Sequence, residues 1–566
     1  MAAALRIFLV CLLLVGNNRL FGQQPTSSAS LFTYSGQVSV QGEWYRMRSV
    51  GADIRPRRPD EMYRFIGSGS IGIKGIQIPF SMMLANNQRN INTPIPLDQN
   101  LFEFITNPVN SVGFAPQLKF GKALLGTYVP KFMHFTSGDI RVFGLGADIL
   151  LAKKWRVAFH GGNAQLPVAQ NPVLGITGAY TRRVYAGKFG YGADDATHLH
   201  VGFMRSSDIV GSVPEVLSQV APQENLVLSV GGKYKLGQTY YLEGEIARSA
   251  FTENALAERI ANNNMFAGLL PFNLTSRLGT AFRGIVGRNG KVWSVRLYGD
   301  YVTEGFRTLG YPFLQPDQAN YRIEPRMNLK GGKITLSGAI GQRINNVSGL
   351  KGTTAYQLTG MINANWQATE RLSITAGFNN FGFRNTVRND TLRIENVNRS
   401  LNVSPTYTIP STRYTHVFNL TFSRDAFDDF NLFTGVQNSN NSVTWMAGYV
   451  LTWNNKPLTF DLTAMQFDNR TAVNFMQMRN LTAGTAYKFF DKKMNGSLKL
   501  TYMSNAVDFA EPSRQLMLQL GYRYSIMKKL ALDTGGNINL FRFGAEQPGV
   551  RFTETLLRSS LTYTFK

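Results

Sequence analysis

The stretch "RQLMLQLGYRYSIM", Arg514 to Met527, decides the fold. Leu516, Leu518, Leu520, Tyr522, Tyr524 and Ile526 take every second position, and Gln515, Gln519, Arg523 and Ser525 fall between them. Successive side chains of a strand point to opposite faces, so this reads as a β-strand with one apolar and one polar face. The pattern recurs. In "KVWSVRLYGDY", Trp293, Val295, Leu297 and Tyr301 oppose Ser294, Arg296, Tyr298 and Asp300. In "NSVTWMAGYVLTW", Val443, Trp445, Ala447, Tyr449, Leu451 and Trp453 share a face. In "GSLKLTYM", Leu498, Leu500 and Tyr502 oppose Ser497, Lys499 and Thr501.

A soluble sandwich also alternates, so the connections decide. Short turns at Gly237-Gln238, Asn289-Gly290, Gly331-Gly332, 454–456, 490–493 and 527–529 are separated by longer polar stretches. Those stretches are 206–224, 251–273, 305–319, 384–399, 425–440, 504–513 and 542–551. Short turns on one rim and long loops on the other mark a membrane barrel. The chain is therefore read as all-β: a transmembrane antiparallel up-and-down β-barrel over residues 35–566, with about 26 strands (range about 24–26). Both termini then fall on the short-turn rim. The first strand, "SGQVSVQGEWYRMR" (35–48), is expected to pair with the last, where Leu561, Tyr563 and Phe565 face outward. Residues near 40 meet residues near 560, and no edge is left free.

Bulk composition agrees. Charged residues make up 17%, below the roughly 25% usual in soluble proteins. No apolar run reaches the about 18 residues of a spanning helix. Residues 1–22 read as a secretory signal, with Arg6, the apolar run Ile7 to Val15 and a small residue at Gly22. Residues 23–34 are a short segment, too short for an N-terminal plug domain. The one cysteine, Cys11, lies inside the signal, so the exported chain carries no thiol. The formal net charge is +24, and +22 once Arg6 and Arg19 are removed. No nucleic-acid motif accompanies it. Phosphorylated lipid head groups or anionic solutes are the expected neighbours.

Two hairpins place charges on the inner face. Around Gly237, Leu236 and Tyr240 share the outer face, so Lys233 falls opposite Glu243, with Lys235 and Glu245 on the same inner face. Around Lys528, Ile526 is expected to pair with Leu530, which sets Arg523 opposite Asp533. On the lipid face at the midplane each Arg or Lys would cost about 2–4 kcal/mol. In a wet lumen a cross-strand pair contributes roughly 0.2–1 kcal/mol and fixes register.

Other features carry less. His198 and His200 share one strand face, with Asp194 and Asp195 nearby, and form half a metal site with no third ligand assigned. His134, His160 and His416 are scattered, and spacing assembles no catalytic triad. The glycines of "FGLGAD" and "GYGAD" lie in strands, not at the strand-to-helix turn a phosphate cradle needs. No enzyme activity and no cofactor is expected. Residues 253–265, "ENALAERIANNNM", have helical composition and predict a short loop helix. Trp44, Tyr45, Trp293, Trp366, Trp445 and Trp453 are expected in interfacial girdles.

The segments "GIQIPFS" (Gly75–Ser81), "VGFAPQLKFGKALLGTYVPKF" (Val112–Phe132) and "FTSGDIRVFGLGADILLAKKWRVAFHGG" (Phe135–Gly162) resemble a block found in large outer-membrane β-barrel proteins of Bacteroidota. The resemblance is strongest over about residues 60 to 165. It implies an outer-membrane barrel, and it assigns no activity to any residue. Asp390-Thr391-Leu392 resembles the short O-glycosylation acceptor of the same phylum. A terminal aromatic strand resembles the signal read by the outer-membrane assembly machinery, here offset because Lys566 follows Phe565.

The leading expectation is a porin-like conduit for hydrophilic solutes, biased toward anions, in the outer membrane of a Gram-negative cell. A structural or docking barrel in an envelope assembly or secretion complex is the alternative, and an outer-membrane lipid or peptide hydrolase ranks third. Expected partners are outer-membrane lipid and lipopolysaccharide, the assembly machinery, and a periplasmic or surface protein.

Overall fold

The structure, a computed structural model, describes residues 32–85 and 110–565, apart from residues 131, 153, 173–174, 261–265, 267 and 491–492. The signal segment 1–22 and residues 23–31 lie outside the described residues. Strand segments run in chain order from β1 (Phe32–Val50) to β27 (Arg551–Phe565), each antiparallel to its neighbours. β4 (Ser111–Phe114) and β5 (Gln117–Leu118) both lie between β3 (Ile76–Ala85) and β6 (Gly121–Tyr128), so they serve as one wall strand. The break falls at Ala115-Pro116, because proline has no N–H to give the ladder. Ala115 N–H still donates to the Pro79 carbonyl at 2.8 Å and holds the broken strand in place. The wall is a closed up-and-down barrel of 26 strands.

Closure follows the expected register. Val38 lies opposite Tyr563, Val40 opposite Leu561 and Gly36 opposite Phe565. On the inner face Ser39 Oγ lies 2.8 Å from Ser560 Oγ, and Arg558 Nε donates to Glu43 at 2.8 Å. β1 begins at Phe32, three residues before the expected start. Tyr34 rests on Phe565 with ring centroids 6.0 Å apart, and that contact extends the strand.

Short turns and long loops sort to opposite rims. β11 (Glu224–Leu236) and β12 (Tyr240–Thr252) join through Gly237, whose φ of 65° is cheap only for glycine. Residues 51–60, 210–223, 253–275 and 303–317 are connections of the other rim. Outward positions form the apolar band: Leu516, Leu520, Phe282, Val286, Leu498 and Leu500 are all exposed. No helix among the described residues is long and apolar enough to cross a membrane. The one α-helix among them, α1 (Gly435–Asn438), is a single turn in a rim loop.

Three local expectations are corrected. In the hairpin of β25 (Ser513–Met527) and β26 (Leu530–Arg542), Met527 and not Ile526 pairs with Leu530. The two-residue turn requires that pairing, and a bulge at Ile526 restores the register so that Arg523 still faces Asp533. Of the helix expected over 253–265, residues 253–260 form turns and a bridge between Arg259 and Asn273 instead, and residues 261–265 lie outside the described residues. Asn254 Oδ1 accepts the Leu256 N–H at 3.0 Å, a local bond that competes with a helical one. Tyr45 is no girdle residue. Trp44 takes the outward position, so Tyr45 faces inward, 6% exposed, and donates to Glu554 at 2.8 Å. Trp453, on the outward face at the short-turn rim, packs edge-on against Tyr414.

Candidate functional site

The candidate site is the lumen, and its largest feature is an inward loop. Residues 129–141 connect β6 to β7 (Val142–Leu151) and fold into the barrel. Phe135 is 0% exposed, and Thr136, Ser137 and Ile140 are also buried. A second connection, 303–317, joins β14 (Trp293–Val302) to β15 (Gln318–Leu329) and meets the first. Phe135 and Phe306 pack edge-to-face at 5.7 Å, and Thr308 Oγ1 donates to the Thr136 carbonyl at 3.3 Å. A Cβ on Gly310 would collide with the Thr136 carbonyl, so glycine permits that approach. Asn225, from β11, donates to the Arg307 carbonyl at 3.1 Å and accepts the Leu309 N–H at 3.0 Å.

The wall is adapted to these loops. Val184, Met204, Val227, Ala247, Ala281 and Val302 face inward from β9 (Thr181–Tyr191), β10 (His198–Ile209), β11, β12, β13 (Ser276–Arg288) and β14, and pack on Phe135 and Phe306. Apolar residues at inward positions reverse the polar-in pattern of the other strands. That reversal is the signal in the sequence that marks where loops fill the lumen.

The predicted charges divide between wall and loop. Lys233 lies opposite Glu243, with Nζ 3.2 Å from Oε2, and Lys233 also sits 4.7 Å above the Tyr241 ring. Arg523 lies opposite Asp533 with a 3.6 Å contact. Lys235 faces Tyr241 across the ladder. Glu245 has a different partner: its carboxylate accepts the backbone N–H groups of His134 at 2.9 Å and Phe135 at 3.0 Å. It clamps the inward loop to the wall. Burial, with help from Arg283, pushes His134 down to about 4 and keeps its ring neutral.

Beside this clamp lies an ion-pair network. Asp148 and Arg156 bond twice, at 2.9 and 2.5 Å. Asp194 accepts from Arg156 at 2.7 Å and from buried Lys188 at 3.0 Å. Burial pushes the Asp194 carboxyl up, but Lys188 and Arg156 outweigh it and hold it below the usual carboxylate range. His198 and His200 are stacked at 4.5 Å. Ligand atoms of Asp194, His198 and His200 all lie within 4.8 Å of one another, so Asp194 is the third group the sequence leaves unassigned. The set does not fit a divalent ion. Asp194 already pairs with two cations, Arg156 and Lys188, and their positive charge opposes a metal ion at that carboxylate. His198, His200, His134, Glu243, Glu245 and Arg283 border a cavity of about 260 Å³.

Ser137 Oγ lies 3.1 Å from His160 Nε2, but both residues are buried in the loop interface, and among the described residues nothing partners His160 Nδ1. The pair lacks the carboxylate that orients a catalytic histidine. His416 bonds the Tyr449 hydroxyl at 2.9 Å on the outward face, and Thr391 sits exposed in the 386–394 loop.

Among the described residues, the inner face of the closure seam is basic. A cavity of about 630 Å³ there is bordered by Arg58, Arg64, Arg523 and Arg558 against Glu43 and Asp533. Leu561, Tyr563 and Phe565 point away from it, on the outer face.

No family model and no curated protein matches the chain. Its fold is similar to solved barrels. The outer-membrane protein OpdK of Pseudomonas aeruginosa is 10% identical, with 61% of this chain and 94% of that one covered at a TM-score of 0.31. The P pilus usher translocation pore is 10% identical, covering 94% of this chain and all of that one at a TM-score of 0.39. The ferric enterobactin receptor of Pseudomonas aeruginosa is 11% identical, covering 95% and 81% at a TM-score of 0.39. Likeness this distant assigns no function to the chain.

Proposed function

We propose that the protein is an outer-membrane conduit for hydrophilic solutes, partly occluded by its own loops and biased toward anions. One observation carries this reading: the two inward loops cover the β7–β14 arc of the wall, while polar and basic side chains of the opposite arc, Lys499, Arg523 and Arg558, are exposed inside the barrel. Field from such side chains selects small ions as they pass. Export through the N-terminal signal, insertion by the assembly machinery and a Bacteroidota origin belong to the same reading. So does the absence of catalysis. The test is single-channel recording in planar bilayers. Stable conductance with anions favoured over cations is expected. A purified barrel that inserts but never conducts, at any salt or voltage, would sink the conduit and favour a docking barrel.

A further inference from the structure

Outward-facing arginines collect at the long-loop ends of the strands. Arg205 lies near the end of β10 and Arg248 near the end of β12, both exposed. Arg288, at the opposite rim, is stacked 3.5 Å over Trp293. The densest group sits where the barrel closes. Arg514 of β25 lies directly opposite Arg542 of β26, which lies directly opposite Arg551 of β27. All three are exposed on the outer face.

Like charges facing each other across a ladder repel. At the roughly 4.8 Å spacing of strands, the three backbone positions span only about 10 Å. Among the described residues the only carboxylate within ion-pair distance of the three is Glu511, 3.9 Å from Arg542. The next outward row toward the mid-strand is Leu516, Leu540, Thr553 and Arg48. Arg48 joins the other three around a groove of about 510 Å³, with Tyr502 at its side. The groove is basic toward the rim and apolar toward the membrane.

We propose that this groove binds the phosphate groups of an outer-leaflet glycolipid, with its acyl chains lying on Leu516, Leu540 and Tyr502. A bridging phosphate turns the repulsion of three guanidinium groups into charge-assisted hydrogen bonds, for which arginine's planar fork is suited. A soluble phosphate would satisfy the arginines and leave the apolar half of the groove unused, so the lipid is the committed occupant. The inference rests on the membrane orientation of the proposed function, with the long loops outward. It does not need the barrel to conduct.

The test uses the full mature barrel in detergent, with binding of diphosphoryl lipid A followed by native mass spectrometry. The dephosphorylated lipid and inorganic pyrophosphate are run alongside. Wild type is expected to hold diphosphoryl lipid A, with the other two bound far more weakly. The triple variant Arg514→Gln, Arg542→Gln, Arg551→Gln should weaken lipid A binding roughly tenfold or more, with the triple Arg→Lys variant between the two. Retained heat-modifiable gel mobility shows that the barrel has folded. If the triple variant does not fold, Arg542→Gln and the three-ligand comparison on wild type decide. Equal binding of lipid A by the variant, or equal binding of the dephosphorylated lipid, overturns the site. Pyrophosphate bound as tightly as lipid A overturns the lipid as its occupant. A barrel that fails to conduct but holds lipid A would overturn the conduit alone.

Discussion

Glu245 shows how one side chain changes role between sequence and structure. On its strand it is an inward carboxylate near Lys233 and Lys235, which reads as part of a charge ladder. Its actual partners are two backbone N–H groups from a loop more than 100 positions earlier. No spacing rule reaches that far. Replacing it by Gln should weaken loop docking by about 1–3 kcal/mol, since charge-assisted bonds to two N–H groups are lost. Faster amide hydrogen exchange over residues 132–137, with the wall strands unchanged, is the expected readout. His134 supplies a pH dependence. Its docked value of about 4 lies below the ordinary 6.5, so the undocked loop binds the proton more readily. The stabilisation, on the order of 3 kcal/mol, is complete above pH 6.5, declines as pH falls and is lost below about pH 4. Loop amides should therefore deprotect, after correction for intrinsic rates, between pH 7 and 5. The His134→Gln variant should lack that trend; the same trend in the variant would assign it to another group.

At the scale of elements, the two inward loops depend on each other. Gly310 meets the Thr136 carbonyl with no room for a side chain. Gly310→Val should part the loops while leaving the barrel folded, because the wall ladders do not pass through this contact. Larger and noisier single-channel conductance is the expected outcome, and conductance identical to wild type would show that the loops do not limit the path. Hairpin registers were legible beforehand because turn residues and alternation set them locally, as at Gly237. The bulge at Ile526 was not, since it depends on how a two-residue turn is reconciled with a ladder already in register. The loop of residues 129–141 was also missed. Its sequence contains no helix or strand pattern, and its destination is set by Phe135 finding an apolar arc of wall assembled from six distant strands.

For the whole molecule, closure is the central prediction. The one cysteine of the sequence, Cys11, lies outside the barrel strands, so a Val40→Cys, Leu561→Cys pair in the barrel reports cleanly on the seam. It should form a disulfide under oxidation, whereas Val40→Cys with Leu557→Cys should not, because Leu557 lies opposite Trp44. Cross-linking of the second pair as readily as the first would mean a shifted seam. Strand number, the two kinds of rim and the pairing of first strand with last were determined by the sequence alone. Each follows from period-2 alternation and turn length, properties of neighbours in the chain, together with the rule that lipid tolerates no open edge. The clamp at Glu245, the Asp194 network and the arginine row at the seam were decided only by tertiary structure. Arg514, Arg542 and Arg551 are unremarked strand ends in sequence. They become a cluster because closing the barrel sets their three strands side by side in one register.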